Sequence, residues 1–204
     1  MTITLHQSDI PADLDFGSAV AVDCEMMGLN PRRDRLCLVQ LSAGDGNAHL
    51  VQFRGNDYAA PRLKKLMADP KVTKIFHFAR ADITWIKAYL GVLAAPVYCT
   101  KIASRLARTF TDHHSLKTLC RDMLGVELDK QQRVADWGAE TLTPEQMAYA
   151  ASDVLYLHKL KEGFDAILVR EGRAELAKAC FDFLPHRAEL DLAGWAEQDI
   201  FAHH

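Results

Sequence analysis

The chain has 204 residues, of which 25% are charged and 49% hydrophobic, and its formal net charge at pH 7 is -3. This composition excludes a disordered or low-complexity chain, and the length predicts one domain with a C-terminal extension. The slightly acidic balance excludes a strongly basic nucleic-acid coat, so local groups and metal would have to hold a polyanionic substrate.

The sequence indicates a cytoplasmic protein. It contains no apolar run of the roughly 18 residues that a membrane helix needs, and its N-terminus lacks the basic and then apolar order of a signal peptide. The five cysteines are scattered and form no C-x-x-C pair. Neither a disulfide framework nor a zinc site is therefore indicated.

The first predicted strand spans residues 19–25, reads AVAVDCE and ends in two acids. The period of two in a strand places Asp23 and Glu25 on one face and Cys24 on the other. Two neighbouring carboxylates repel each other, so they require either a cation or open solvent. Taken alone, this pattern is more often a solvated loop entry than a ligand pair.

Strands and helices alternate along the next part of the chain. Asp57 is expected to cap a helix that ends before Pro70, and Ser115 to cap one that ends at Gly125. The further strands are predicted at residues 36–41, 48–53, 74–78 and 94–99, and the helices at 58–68, 82–91, 101–108, 115–125 and 143–169. This order predicts an α/β domain with a mixed five-stranded sheet and helices on both faces.

Two more acids occur at defined places in these predicted helices. Asp82 lies in the first turn of a helix that follows a strand, where it could simply complement the helix dipole. Thr143 begins a helix with Pro144 in its first position and Gln146 where a capping box requires it. Four residues separate Tyr149 from Asp153 in that helix, so both side chains lie on one face.

The joint order of these motifs resembles the DEDD superfamily of 3'-to-5' exonucleases, which have a ribonuclease H-like fold, and within it the ribonuclease D group. The matching motifs are Asp23-Cys24-Glu25, FHFARAD ending at Asp82, and Tyr149-Ala150-Ala151-Ser152-Asp153, with KQQRVADW (130–137) and LTPEQMAYAASDVLYL (142–157) beside them. The resemblance covers about residues 15–160. Ala148 stands where a sister subgroup has histidine, so the match is to the tyrosine subgroup. Phe78 and Ala81 depart from the asparagine and the aromatic residue that are common at those positions.

The resemblance implies a catalytic centre with two Mg²⁺ or Mn²⁺ ions. Asp23 would bridge both ions, Glu25 and Asp153 would complete the water-activating site, and Asp82 would hold the second ion, largely through water. Oxygen ligands select such hard ions. Tyr149 would orient the attacking water, because a phenol with a pKa around 10 is a poor base at neutral pH.

Candidate substrate contacts surround these motifs. They are Met26, Leu29, His77 and Lys130. The apolar residues after the acid pair, Met27 included, could pack against terminal bases or equally belong to the core. Phosphate contacts are hypothesised for Arg32, Arg33, Arg35, Lys130 or Arg133, and a solvated basic face is an equally good interpretation.

The expected function is a metal-dependent 3'-to-5' exoribonuclease that removes mononucleotides from single-stranded RNA. The exonuclease domain would span residues 1–170, and residues 171–204 would form a helical extension packed on it. The alternatives are a DNA exonuclease of the repair type and a catalytically silent nucleic-acid scaffold. A complete set of acids argues against the scaffold, because uncompensated carboxylates repel phosphate. No motif encodes the contacts to a 2'-hydroxyl that distinguish RNA from DNA, and the oligomeric state stays open.

Overall fold

A mixed six-stranded sheet forms the centre of the computed structural model, which describes residues 1–128 and 136–203. The strands are β1 (Ile3–Gln7), β2 (Ala19–Met26), β3 (Leu36–Ser42), β4 (Ala48–Gln52), β5 (Thr73–Phe76) and β6 (Val97–Cys99). Their order across the sheet is β1-β4-β3-β2-β5-β6. The pairs β2–β3 and β3–β4 are antiparallel, while β1–β4, β2–β5 and β5–β6 are parallel. The predicted mixed sheet is thus confirmed, with one strand more than expected.

The additional strand is β1, at the edge of the sheet. It pairs in parallel with β4, beginning with Ile3 opposite Ala48. Its residues are mostly half-buried, without the apolar run that marks the inner strands. A short edge strand whose partner lies more than forty residues away leaves only a weak local pattern in the sequence.

Helices cover both faces of the sheet. They are α1 (Pro61–Ala68), α2 (Ala79–Trp85), α3 (Thr100–Ala107), α4 (Leu116–Leu119), α5 (Pro144–Ser152), α6 (Leu157–Arg170) and α7 (Ala174–Leu190). Wider π-helical turns extend α2 over Ile86–Leu90 and α4 over Cys120–Leu124, and an irregular turn over Asp191–Trp195 follows α7. None of the helices in the described ranges is long and apolar enough to cross a membrane.

Helix α1 begins later than predicted, at Pro61 rather than at residue 58. The ring of Pro61 disfavours the right-handed helical conformation in the residue before it, and Ala60 has a left-handed backbone with φ of 33°. Asp57 consequently accepts a hydrogen bond within a turn, from the N–H of Ala59. The carboxylate of Asp9, far away in the chain, takes over the capping role and accepts from the N–H groups of residues 62 and 63.

The single helix predicted over 143–169 is two helices, α5 and α6. The turn between them is tightened by hydrogen bonds from Asp153 N–H to the Ala150 carbonyl and from Val154 N–H to the Ala151 carbonyl. Val154 within this turn and Leu157 at the start of α6 are completely buried. The break makes Asp153 the residue that caps the C-terminus of α5 and sets its direction independently of α6.

The core has a large and a small part on opposite faces of the sheet. Strand β3 is buried at every position; Val39 faces the large part and Leu38 the small one. Helix α5 covers the small part together with Trp137. The large part also contains side chains of the sheet and of α2. Helix α7 packs four hydrophobic side chains into it: Ala177, Phe181, Leu184 and Ala188.

Candidate active site

Three carboxylates meet where β2 and α5 end. One oxygen atom each of Asp23, Glu25 and Asp153 lies within 4.8 Å of the other two. The alternation along β2 brings the first two to one face, as the sequence predicts. The third is 7% exposed and is supplied by the break after α5. Within the described residues this is the one cluster of acidic, histidine or cysteine side chains with the spacing of a metal site.

The capping box of α5 fixes the direction from which Asp153 approaches. The Thr143 hydroxyl accepts from the Gln146 N–H at 3.2 Å, and the Gln146 amide oxygen accepts from the Thr143 N–H at 2.8 Å. One turn before Asp153, the Tyr149 ring lies 5.9 Å from the ring of buried Trp137, measured between centroids. The predicted spacing of Tyr149 and Asp153 therefore holds, and both line the same cavity.

Gln40 on the neighbouring strand supports Asp23. The two residues are opposite each other in the β2–β3 pair, and the Gln40 amide donates to the Asp23 carboxylate at 3.3 Å. Gln40 is completely buried, and its own amide oxygen has no partner among the residues described. A fully buried glutamine that faces a carboxylate indicates a role in positioning that carboxylate.

Asp82 lies beside the cluster rather than in it. It is 5% exposed, and it shares hydrogen bonds with both the main chain and the thiol of Cys24. Burial raises the pKa of Asp82 to about 8, against the effect of these hydrogen bonds and with a further increase from nearby Asp153. Burial and the surrounding carboxylates also raise the pKa of the Cys24 thiol. Without a cation this group of acids therefore retains a proton.

A cavity of about 570 Å³ opens over the carboxylates. Its polar and charged lining consists of Asp23, Glu25, His77, Lys101, Ser115, Lys117, Tyr149 and Asp153. The two lysines occupy the first turns of α3 and α4, where the helix dipole favours acids over bases. Lys101 and Lys117 were not among the residues predicted for the site. Their unfavourable positions in the first turn of a helix are the sequence signal that could have indicated them.

His77 enters the cavity with a defined tautomer. Its Nδ1 lies 2.9 Å from the Thr100 hydroxyl, and that hydroxyl donates to the Phe76 carbonyl at 3.2 Å. The single hydroxyl proton is thus used, so Nδ1 of His77 carries the hydrogen and donates it. The ring is held with its Nε2 edge away from Thr100.

The other predicted substrate contacts lie in different environments. Leu29 is 92% exposed and borders a second cavity beside the first, whereas Met26 is half-buried against the core. Lys130 and Arg133 fall outside the described residues. The structure therefore favours the core interpretation for Met26 and an exposed role for Leu29.

The three arginines after β2 are engaged in structural contacts. Arg35 donates to the carbonyls of Phe53 and Gly138 at 2.9 and 3.1 Å. Arg33 forms a bidentate pair with Asp34, and Arg32 donates to the carbonyl of Leu192. These contacts favour a structural role for Arg35 over the hypothesised phosphate contact.

The carboxylate cluster fits a hard divalent cation. Its ligands are all oxygen atoms, and their separation allows one ion to touch all three residues. Asp23, Glu25 and Asp153 would hold such an ion, which would supply Lewis-acid activation of water and stabilisation of a leaving oxygen. The protein supplies the matching groups around it: two lysines, a histidine with a fixed tautomer and a tyrosine on one cavity wall.

Comparison with known families agrees with this geometry. A family model described as 3'-5' exonuclease matches residues 7–168. The chain belongs to this family of 3'-to-5' exonucleases. The match includes all five predicted catalytic positions: Asp23, Glu25, Asp82, Tyr149 and Asp153.

The relatives of this chain within the exonuclease family differ in length. Ribonuclease D of Acidiphilium cryptum is 38% identical over 83% of this chain but 44% of its own length, so the chain spans less than half the length of several curated relatives that it matches. The solved structure of Escherichia coli RNase D is 26% identical, with a TM-score of 0.75 over 84% of this chain and 45% of that one. Brucella melitensis NrnC matches over the full length of both chains, with 53% identity and a TM-score of 0.97 when bound to pGG, and 52% and 0.95 with bound Mg²⁺.

Proposed function

We propose that the chain is a metal-dependent 3'-to-5' exoribonuclease that removes mononucleotides from single-stranded RNA. The observation that carries the proposal is the cluster of Asp23, Glu25 and Asp153 with oxygen atoms within 4.8 Å, in a cavity shared with Tyr149. Membership of the exonuclease family supports the reaction type. The same cluster argues against a silent scaffold, because a phosphate-binding surface without metal has no use for grouped carboxylates.

Each side chain has a proposed role in this reaction. The three clustered carboxylates would hold the ion that activates water, with Asp23 shared between two ions, and Asp82 would hold the second ion through water. Tyr149 would donate a hydrogen bond that orients the attacking water. Lys101 and Lys117 would attract the scissile phosphate, since both line the cavity without a carboxylate partner among the ion pairs described.

The proposed ions are Mg²⁺ or Mn²⁺. The oxygen-only ligand set supports this choice, and so does the solved structure of NrnC with bound Mg²⁺, whose chain is 52% identical to this one. Removal of divalent ions with a chelator should abolish turnover and leave the fold intact.

The proposed substrate is a short RNA with a free 3' end. NrnC, which is 53% identical over both full chains, has been solved bound to pGG, and curated relatives of this chain are ribonucleases. RNA is therefore favoured over DNA.

We place the enzyme in the cytoplasm, consistent with five cysteines that are all free thiols. We further propose that residues 171–204 form a helical extension packed on the exonuclease domain. Three residues that follow its long helix, Asp191, Ala196 and Glu197, line the cavity beside the site.

The test uses RNA and DNA oligonucleotides of equal sequence, labelled at the 5' end and incubated with Mg²⁺ or Mn²⁺. The expected result is a ladder that shortens from the 3' end, faster on RNA, and disappears with chelator or with Asp23→Asn. Asp57→Asn, an exposed turn residue, is the matched control and should behave like the wild type. A faster ladder on DNA would support a repair enzyme, and intact substrate with all metals would contradict catalysis.

A further inference from the structure

Phe78 lies between the metal-site cavity and a second, larger cavity. It connects β5 to α2, it lines both cavities, and it is 45% exposed. The neighbouring residues Phe76 and Ala79 are completely buried. The Phe78 ring therefore lies at the boundary between the metal-site cavity and the larger cavity.

The backbone of Phe78 is left-handed, with φ of 69° and ψ of 50°. A bulky residue rarely adopts this conformation, whereas asparagine tolerates it well. The aromatic side chain therefore costs folding free energy at a position where its exposed ring contributes little to the core. Strain of this kind concentrates at functional sites.

Lys101 holds the ring from the side of the metal site. Its ammonium lies 4.0 Å from the centroid of the Phe78 ring, a cation–π contact. Lys101 belongs to the lining of the metal-site cavity and not to that of the larger one. The ring is thus positioned beside the carboxylates while part of it stays accessible from the larger cavity.

The larger cavity suits a neutral, flat group. Its volume is about 660 Å³, within the usual range for small-molecule sites. Its arginines are already engaged: Arg80 in a bidentate pair with Asp191, and Arg33 and Arg32 in the contacts described above. The cavity wall also carries Glu197. With Arg33 and Arg80 paired with carboxylates and Arg32 bound to a carbonyl, the cavity offers a phosphate little and an uncharged ring more.

We propose that Phe78 stacks on a nucleobase of the RNA substrate, with that base in the larger cavity and the scissile phosphate over the carboxylates. This inference rests on the proposed function and adds a specificity residue to the same site. Every base has an aromatic face, so this contact selects for the presence of a base and not for its identity.

The test compares Phe78→Leu, Phe78→Asn and Phe78→Tyr on two RNA substrates in Mg²⁺, one normal and one with abasic residues at its 3' end. Leucine and asparagine should raise KM on normal RNA by about 5- to 150-fold, and tyrosine should restore it. On abasic RNA all four proteins should have the same KM. Asparagine tolerates the left-handed backbone at position 78, so Phe78→Asn should fold even if Phe78→Leu does not.

Equal losses on normal and abasic RNA, or no loss on either, would overturn the stacking role. A second measurement separates this outcome from failure of the proposed function. RNA with 2-aminopurine at its 3' end and an uncleavable terminal linkage should lose fluorescence on binding the wild type in Mg²⁺, and should lose less on binding Phe78→Asn. That difference would support stacking even in a protein that cuts no RNA, and equal quenching by both proteins would refute it.

Discussion

Replacing Gln40 with leucine should separate the stability of the fold from the affinity of the metal site. The change removes the amide that donates to Asp23, a hydrogen bond to a charged group worth about 1.5–3 kcal/mol. It also removes a buried amide oxygen that has no partner among the described residues, whose burial costs roughly 1–3 kcal/mol. The two effects nearly cancel, so the free energy of unfolding should change by less than about 1 kcal/mol.

Metal affinity should respond differently, because Gln40 sets the orientation of Asp23. Loss of such a supporting contact typically weakens metal binding about 10- to 100-fold. The donor–acceptor distance of 3.3 Å is long for a charged pair, so we expect the lower end of that range. The Mg²⁺ concentration for half-maximal RNA cleavage should therefore rise about tenfold.

The assay is a Mg²⁺ titration of RNA cleavage, with thermal unfolding measured without metal. Gln52→Leu is the matched control, since Gln52 is a buried glutamine on the neighbouring strand and donates to the Ala139 carbonyl instead of a carboxylate. The control should lose stability and keep its Mg²⁺ dependence. An unchanged Mg²⁺ dependence in Gln40→Leu would refute the positioning role.

Two further predictions concern the scaffold around the site. Lys74→Met should lower the free energy of unfolding by about 3 kcal/mol in denaturant titrations. The reason is that the completely buried ammonium of Lys74 donates to three main-chain carbonyls at 2.5–2.8 Å. A loss below about 1 kcal/mol would mean that water replaces the ammonium as their donor. The second concerns Asp34, where hydrogen bonds from Arg33 and from the N–H of Asn30 hold the pKa at about 2, below the ordinary 3.8. A carboxyl group whose pKa is lower in the folded than in the unfolded state stabilises the fold at pH values above its unfolded-state pKa. The stability difference between wild type and Asp34→Asn should therefore be full above pH 4 and shrink toward pH 2. A difference independent of pH would contradict this prediction.

Local patterns account for the parts of the site that lie on one element. The period of two predicted that Asp23 and Glu25 share a face, and the capping box with its four-residue spacing predicted that Tyr149 and Asp153 do. The break after Asp153 escaped prediction because the apolar positions on both sides of it continue one helical pattern. It depends on the burial of Val154 and Leu157 against other parts of the fold.

Contacts between distant parts of the chain were not predictable in the same way. Gln40 reads as an ordinary polar residue in a strand until the register opposite Asp23 is known. The ion pair between Arg80 and Asp191 joins residues 111 positions apart and forms one wall of the larger cavity. No local pattern indicates such a pairing, since both residues are common on helix surfaces.

The most direct test of the account is to locate the metal ions in a crystal. Crystals grown with Mn²⁺ and an uncleavable RNA dinucleotide should show two anomalous peaks roughly 3.5 to 4 Å apart. One peak should contact Asp23, Glu25 and Asp153, and the other should lie between Asp23 and Asp82. An RNA-bound crystal without an anomalous peak at the three carboxylates would contradict the proposed metal-dependent mechanism.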